Sequence, residues 1–306
     1  MAEFGLPFQG DIWYVVQASD TGGVTDGDTA LPISCKVLDV RYGIGDKHKV
    51  LRGFDAPNAC HLLEQVSDLT LHIEYIPQCD DTMIADVINR TSEMKLQALG
   101  FIIESNRFLN TATDKSSFLL SGCKPKTIGI SASINNEYII TIDFSVLDQN
   151  SLQSDSSGFS APSKPAALTG AYLAFNVAGS ITKDGGALAR ICDSIDITIS
   201  HNLVDKYDHD SVAKQFIVEG AFDIEGSCDI SLDEGGKSHI DEILGQSEFD
   251  LVINLGGAGC PKITIPNCKF KSGELDISLD GDVLADSAPF TGKPTDGDIQ
   301  AIVGST

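Results

Sequence analysis

Ile195, Ile197 and Ile199 alternate with Asp196, Thr198 and Ser200. A period of two belongs to a strand with one buried and one wet face. Similar apolar runs predict strands at Val37–Arg41, Leu69–Tyr75 and Phe222–Leu232. In each half the period then changes to that of a short helix. Asp80-Asp81-Thr82 caps a segment whose Met83, Ile84, Val87 and Ile88 share one face. Gly235–Ser238 leads into Ile240, Ile243 and Leu244, with Gly245 as the stop. A strand and a closing hairpin complete each half: Ile128–Ser145, turning at Asn135-Asn136, and Gly273–Phe290, turning at Asp280-Gly281.

The two halves align on one another. Cys35-Lys-Val-Leu-Asp39-Val40 falls on Cys192-Asp-Ser-Ile-Asp196-Ile197 at an offset of 157, and Leu71, Ile73 and Tyr75 fall on Cys228, Ile230 and Leu232 at the same offset. Ile84, Val87 and Ile88 match Ile240, Ile243 and Leu244 at 156. Phe101–Ile103 matches Leu251–Ile253 at 150, and Gly122-Cys123-Lys124 matches Asn267-Cys268-Lys269 at 145. Offsets that only shrink are those of loop insertions in the first copy. Between the copies, Gln149 to Pro165 holds six Ser and two Pro, which is linker composition. The expected architecture is mainly β: two tandem β-sandwich or barrel domains, residues 1–150 and 165–306, joined by a linker at about 150–164. Each carries one short flanking α-helix.

Composition narrows the function. The chain has 21 Lys and Arg against 44 Asp and Glu, a formal net charge of −23. Affinity for nucleic acid or an anionic membrane comes from cations at phosphates, so neither surface is expected to be gripped. The same charge serves solubility or repels DNA. The 8 Cys include no CxxC pair and no zinc-spaced His, and read as small buried apolar side chains in a reducing compartment. The N-terminus lacks the basic region and apolar run of a signal peptide, which points to folding in a cytoplasm.

Catalytic and cofactor signals do not assemble. Gly179–Gly185 lacks phosphate-loop spacing, Gly129–Ser133 fails as a nucleophile elbow, and the 6 His are scattered. Asp276, Ser278, Asp280 and Asp282 resemble half a calcium loop, but Ser287 stands where a bidentate Glu belongs, so the segment reads as a hairpin turn. No catalytic residue, cofactor or metal is expected, and the chain is read as no enzyme.

Three segments of the second half resemble the tail tube proteins of tailed phages and related archaeal viruses. Gly179–Leu203 is similar to that family's opening strands and following loop, Val218–Asp233 to its next strand pair, and Ile265–Phe290 to its closing hairpin. The resemblance reaches the first half only through the internal alignment. It implies a virion tail component, assembled in the host cytoplasm from six β-domains per ring, with stacked rings enclosing a channel for DNA ejection. A chain with two such domains would close a pseudo-six-fold ring with three copies. The implied partners are further copies and other tail proteins at the tube ends, with DNA passing unbound and no membrane. A secretion-type injection tube, a non-polymerising tail-end adaptor and a monomeric binding module are the alternatives.

Asp196, Glu274, Asp276 and Asp280 lie opposite Ile195, Ile197, Leu275, Ile277 and Leu279. They therefore point away from the core, toward a channel or toward outer solvent. Matching cysteines leave a second reading beside the reduced one: equivalent bonds Cys35–Cys123 and Cys192–Cys268, formed after release from the cell.

Overall fold

The computed structural model describes residues 10–21, 24, 27–45, 48–52, 59–64, 68–91, 95–105, 116–154, 162–175, 181–187, 192–208, 213–231, 244–256, 259–271, 285–292 and 302–305. The first run of strands comprises β1 (Gly10–Val16), β2 (Ala30–Pro32), β3 (Lys36–Ile44), β4 (His48–Arg52), β5 (Ala59–Glu64), β6 (Leu69–Ile76), β7 (Leu99–Ser105), β8 (Ser116–Ser133), β9 (Ile139–Ser145) and β10 (Asp148–Ser154). Helix α1 (Met83–Ile88) lies between β6 and β7. The second run comprises β11 (Ile181–Lys183), β12 (Gly186–Ala187), β13 (Cys192–Ser200), β14 (Val204–Tyr207), β15 (Lys214–Val218), β16 (Asp223–Ser231), β17 (Phe249–Asn254), β18 (Pro261–Phe270), β19 (Ala285–Gly292) and β20 (Ile302–Ser305).

Hydrogen bonding gives both runs one order. In the first, β3 pairs β6, β6 pairs β9, β9 pairs β8, β8 pairs β7, and β1 and β2 follow. In the second, the sequence is β13, β16, β19, β18, β17, β11, β12. Each run also sends out a separate hairpin after its third strand, β4–β5 after β3 and β14–β15 after β13, and adds one late strand, β10 on β8 and β20 on β18.

Register makes the equivalence residue by residue. Val40 pairs Ile73 and Ile44 pairs Leu69, while Ile195 pairs Cys228 and Ile199 pairs Ile224. Every partner is displaced by 155, and the ladder irregularity at Val37/Asp39 recurs at Cys192/Ser194. The expected 157 is thus corrected by two residues. A slip of two keeps every side chain on its face, so apolar phase alone cannot detect it. The offset of 150 recurs in the ladders, with Leu99 opposite Cys123 and Phe249 opposite Cys268. So does 145: Gly122 and Asn267 both hold positive φ, at 61° and 53°. There a Cβ on Gly122 would come within 2.6 Å of Leu147 Cβ.

The expected helix forms, and its Met83, Ile84, Val87 and Ile88 are all buried. Thr82 is the N-cap without a side-chain cap bond; Asp81 Oδ1 instead accepts from the Met83 N–H at 2.9 Å. Burial pushes the Asp81 carboxyl up to about 7, since charge is disfavoured away from water. The turn at Asn135-Asn136 is present, with Asn135 at φ 64°. The second copy's predicted helix start and its Asp280-Gly281 turn fall outside the described residues.

The two runs join into one sheet. The last half of β8 has β9 on one edge and β13 on the other, with Ile130 opposite Ile197 and Ile128 opposite Ile199. The chain between the runs is also hydrogen-bonded to the first. The Cys79, Tyr138 and Phe175 N–H groups donate to Ala171, Leu173 and Asn136 carbonyls, and Leu173 N–H donates to Pro77 O.

Candidate assembly surfaces

Pairing across the shared sheet sorts its side chains into two faces. One row runs Val40, Ile73, Ile142, Ile128, Ile199, Ile224, and the next runs Tyr75, Ile140, Ile130, Ile197. All but Val40 are buried in the core cluster. The intervening rows form the opposite face: Glu74, Thr141, Gly129, Thr198 and Glu225, then Ser131, Asp196 and Ser227. This polar face crosses strands of both runs, and half of these positions carry short hydroxyl side chains. Alternation within each strand is the whole cause.

Asp196 is exposed on this face, between Ser131 and Ser227, where its strand phase puts it. Glu274, Asp276 and Asp280 lie outside the described residues. Asp39, His72 and Glu74 bring ligand atoms within 4.8 Å of one another on the same face. His72 Nδ1 already hydrogen-bonds Asp143 Oδ1 at 2.7 Å, and Asp39 pairs with Arg41, so two of the three already have protein partners.

Two buried lysines fasten the second run onto the first. Lys124 of β8 meets Asp20 Oδ2 at 2.7 Å and Glu219 Oε1 at 2.9 Å. Glu219, just after β15, also meets Arg90 at 3.3 Å and accepts from the Leu96 N–H at 3.0 Å. Lys214 of β15 reaches Asp205 Oδ2 and Ser145 Oγ, each at 2.7 Å. A buried cation needs this many acceptors, because its desolvation is otherwise uncompensated. Sequence inspection did not single these out. A lysine between Cys123 and Pro125 carries no spacing signal, and its partner is 95 residues away.

Cysteine chemistry departs from both expectations. Cys79 and Cys260 are joined by a disulfide across 181 residues, with Cα atoms 4.5 Å apart. It ties the segment after β6 to the start of β18. Cys35, Cys123 and Cys268 are free thiols, so neither Cys35–Cys123 nor Cys192–Cys268 forms. The reason is sheet order: β3 stands three strands from β8, and β13 stands three strands from β18. That is about 14 Å at normal strand spacing, twice the reach of a disulfide.

A family model described as phage tail tube protein matches residues 15–291, which spans both runs of strands. The chain belongs to the phage tail tube protein family. No curated protein matches the chain. As a tail tube protein it is a structural component of the virion tail, and the match extends across β8 and β13 where the runs meet. No described helix is long and apolar enough to cross a membrane.

Proposed function

We propose that this tail tube protein assembles as rings of three chains, with six quasi-equivalent β-units per ring, and that stacked rings enclose the channel for DNA ejection. The two units correspond to residues 1–150 and 165–306. The observation that carries the reading is the repeated order: seven strands in one hydrogen-bonding sequence, then the same seven again. A chain that already sets two such units side by side has built one interface of a larger ring. Closed symmetry satisfies the remaining edges, where an open edge would otherwise recruit strands without limit.

In this reading the polar face lines the channel, with Asp196 on the wall and Glu274, Asp276 and Asp280 on the corresponding part of the second unit. Hydroxyls, glycine and carboxylates dominate it, and Arg41 at its edge is already paired with Asp39, so a phosphate backbone finds little to hold. DNA then passes without specific binding, and the lasting partners are further copies and tail proteins at the tube ends.

Negative-stain microscopy of the purified protein tests this, together with its mass in solution. Rings of three chains, and tubes at higher concentration, are expected. Monodisperse monomers persisting at high concentration overturn the reading. Closed rings that never stack favour the tail-end adaptor, whereas tubes released by a secreting cell favour the injection device.

A further inference from the structure

At its β3 edge the polar face ends in a group of side chains that the second copy lacks. The ladders set Asp39 opposite Glu74, Arg41 opposite His72, and His72 opposite Asp143. Asp39 and Arg41, like His72 and Glu74, are two residues apart on one strand, so all five share a face. By the offset of 155, the places of Asp39, His72 and Glu74 are taken in the second copy by Ser194, Ser227 and Asp229. Pro289 stands opposite Ser227, where Asp143 stands opposite His72. The imidazole and two of its three acids therefore have no counterpart, and the shared fold does not require them.

His72 is held in one orientation. Its Nδ1 lies 2.7 Å from Asp143 Oδ1. A carboxylate only accepts, so Nδ1 carries the proton and donates, which leaves Nε2 to act as a ligand. Nε2 is shut off from solvent and has no hydrogen-bond partner. An unpartnered buried polar atom is costly and calls for an explanation. An imidazole steadied by a carboxylate, with its second nitrogen unused, is the arrangement of metal-ligating histidines. Glu74, on the same strand, has no partner among the described residues.

We propose that Asp39, His72 and Glu74 bind one divalent transition-metal ion, zinc, with Asp143 as the positioning residue behind His72. The three already bring one ligand atom each within 4.8 Å of one another. A tetrahedral zinc with bonds of about 2 Å needs ligands about 3.3 Å apart, a gap that rotation of partly exposed carboxylates closes. Water takes the fourth position. Imidazole selects zinc over calcium and magnesium, which favour oxygen alone. Arg41, 71% exposed, leaves Asp39 for solvent when the ion enters. Asp39, Glu74 and Asp143 then balance the ion and Arg41, so the patch becomes neutral and offers phosphate no net attraction. The ion ties β3 to β6, its sole strand neighbour among the described residues. No motif spacing announces the site, because Asp39 comes from a different strand. The proposal stands apart from the ring reading.

Zinc titration of the full chain tests it. Cys35→Ser serves as the parent, since an exposed thiol takes up zinc on its own account. After metal removal with EDTA, calorimetric titration with zinc chloride should give one ion per chain. Zinc at a hundredfold excess over its dissociation constant should raise the melting temperature by about 5 °C. Magnesium should do neither. His72→Gln and Glu74→Gln should each lose the ion and the shift, while their melts without zinc stay cooperative. Asp143→Asn should weaken affinity about 10–100-fold and keep the stoichiometry. Arg41→Ala, which frees Asp39, should bind zinc more tightly, a gain that no damaged fold produces. A parent chain that takes up no zinc overturns the site. So does a His72→Gln chain that takes up as much as the parent, or an equal response to magnesium. Weaker binding by Arg41→Ala also overturns it, because Arg41 would then be holding the group together as an ion-pair network.

Discussion

The outer edges of β13 and β3 are the same place in two copies of one topology, yet one is covered and the other, among the described residues, has no strand beside it. At β13, Ile199 is sealed between Ile128 of β8 and Ile224 of β16. At β3, Ile44 has Leu69 on one side and no described strand on the other. Equal backbone roles therefore carry unequal energies, because burial is settled by what lies across the ladder. Strand propensity behaves in the same way, depending on edge or centre position more than on residue type.

That contrast is most exposed to test at the lysines. Lys124→Ala leaves Glu219, in a largely buried site, with Arg90 as its remaining cation and is expected to cost about 3 kcal/mol. Lys269→Ala should stay within about 0.5 kcal/mol for the isolated chain. Chemical denaturation of monomers measures both, and equal losses would dissolve the contrast. The isoleucines follow. Ile199→Ala should cost about 2–4 kcal/mol and Ile44→Ala less than about 1 kcal/mol, read from denaturation midpoints. If assembly covers β3, Ile44→Ala should weaken rings more than it weakens monomers.

Reducing the Cys79–Cys260 bond, or replacing both residues by Ser, should lower stability by about 2–4 kcal/mol through loss of a long-range cross-link. Thermal melts with and without reductant read this effect. Strand order should survive, since the ladders at the seam do not involve either cysteine.

The smallest expected effect is in pH. Burial raises Asp81 to about 7, so its contribution is full below the unfolded carboxyl range and is lost as pH rises toward 7. Burial lowers His201 to about 3, so its contribution is full above the unfolded imidazole value and is lost as pH falls toward 3. The two oppose each other between about pH 4 and 6.5, each changing stability by at most about 1.4 kcal/mol per pH unit. Asp81→Asn should leave a chain that weakens on acidification from pH 7 to 5. His201→Phe should leave one that strengthens over the same range. Matching pH profiles for the two variants would contradict these assignments.

Much of the fold was legible because alternation is a local signal. Ile195, Ile197 and Ile199 mark β13 without help, and Met83, Ile84, Val87 and Ile88 mark the buried face of α1. Gly122-Cys123-Lys124 matched Asn267-Cys268-Lys269 because both hold an unusual backbone conformation that favours Gly or Asn. The offset at β3 was misread by two residues, since a strand moved by one full period keeps its pattern. The Cys79–Cys260 bond was illegible for another reason. It joins positions with no counterparts in the alignment, brought together only by tertiary packing. Asp196 was placed on its face correctly by phase, but the continuous polar face could not be seen, because it exists only once β8 and β13 pair.

That face has a further consequence. Thr141, Gly129, Thr198, Ser131 and Ser227 have few rotatable bonds or none, so the middle of the surface has little side-chain disorder to lose. A molecule lying against it would not have to freeze long flexible arms, and one moving along it would leave none behind to rearrange. On the proposed channel reading, such a wall would present DNA with a surface that has little of its own to rearrange.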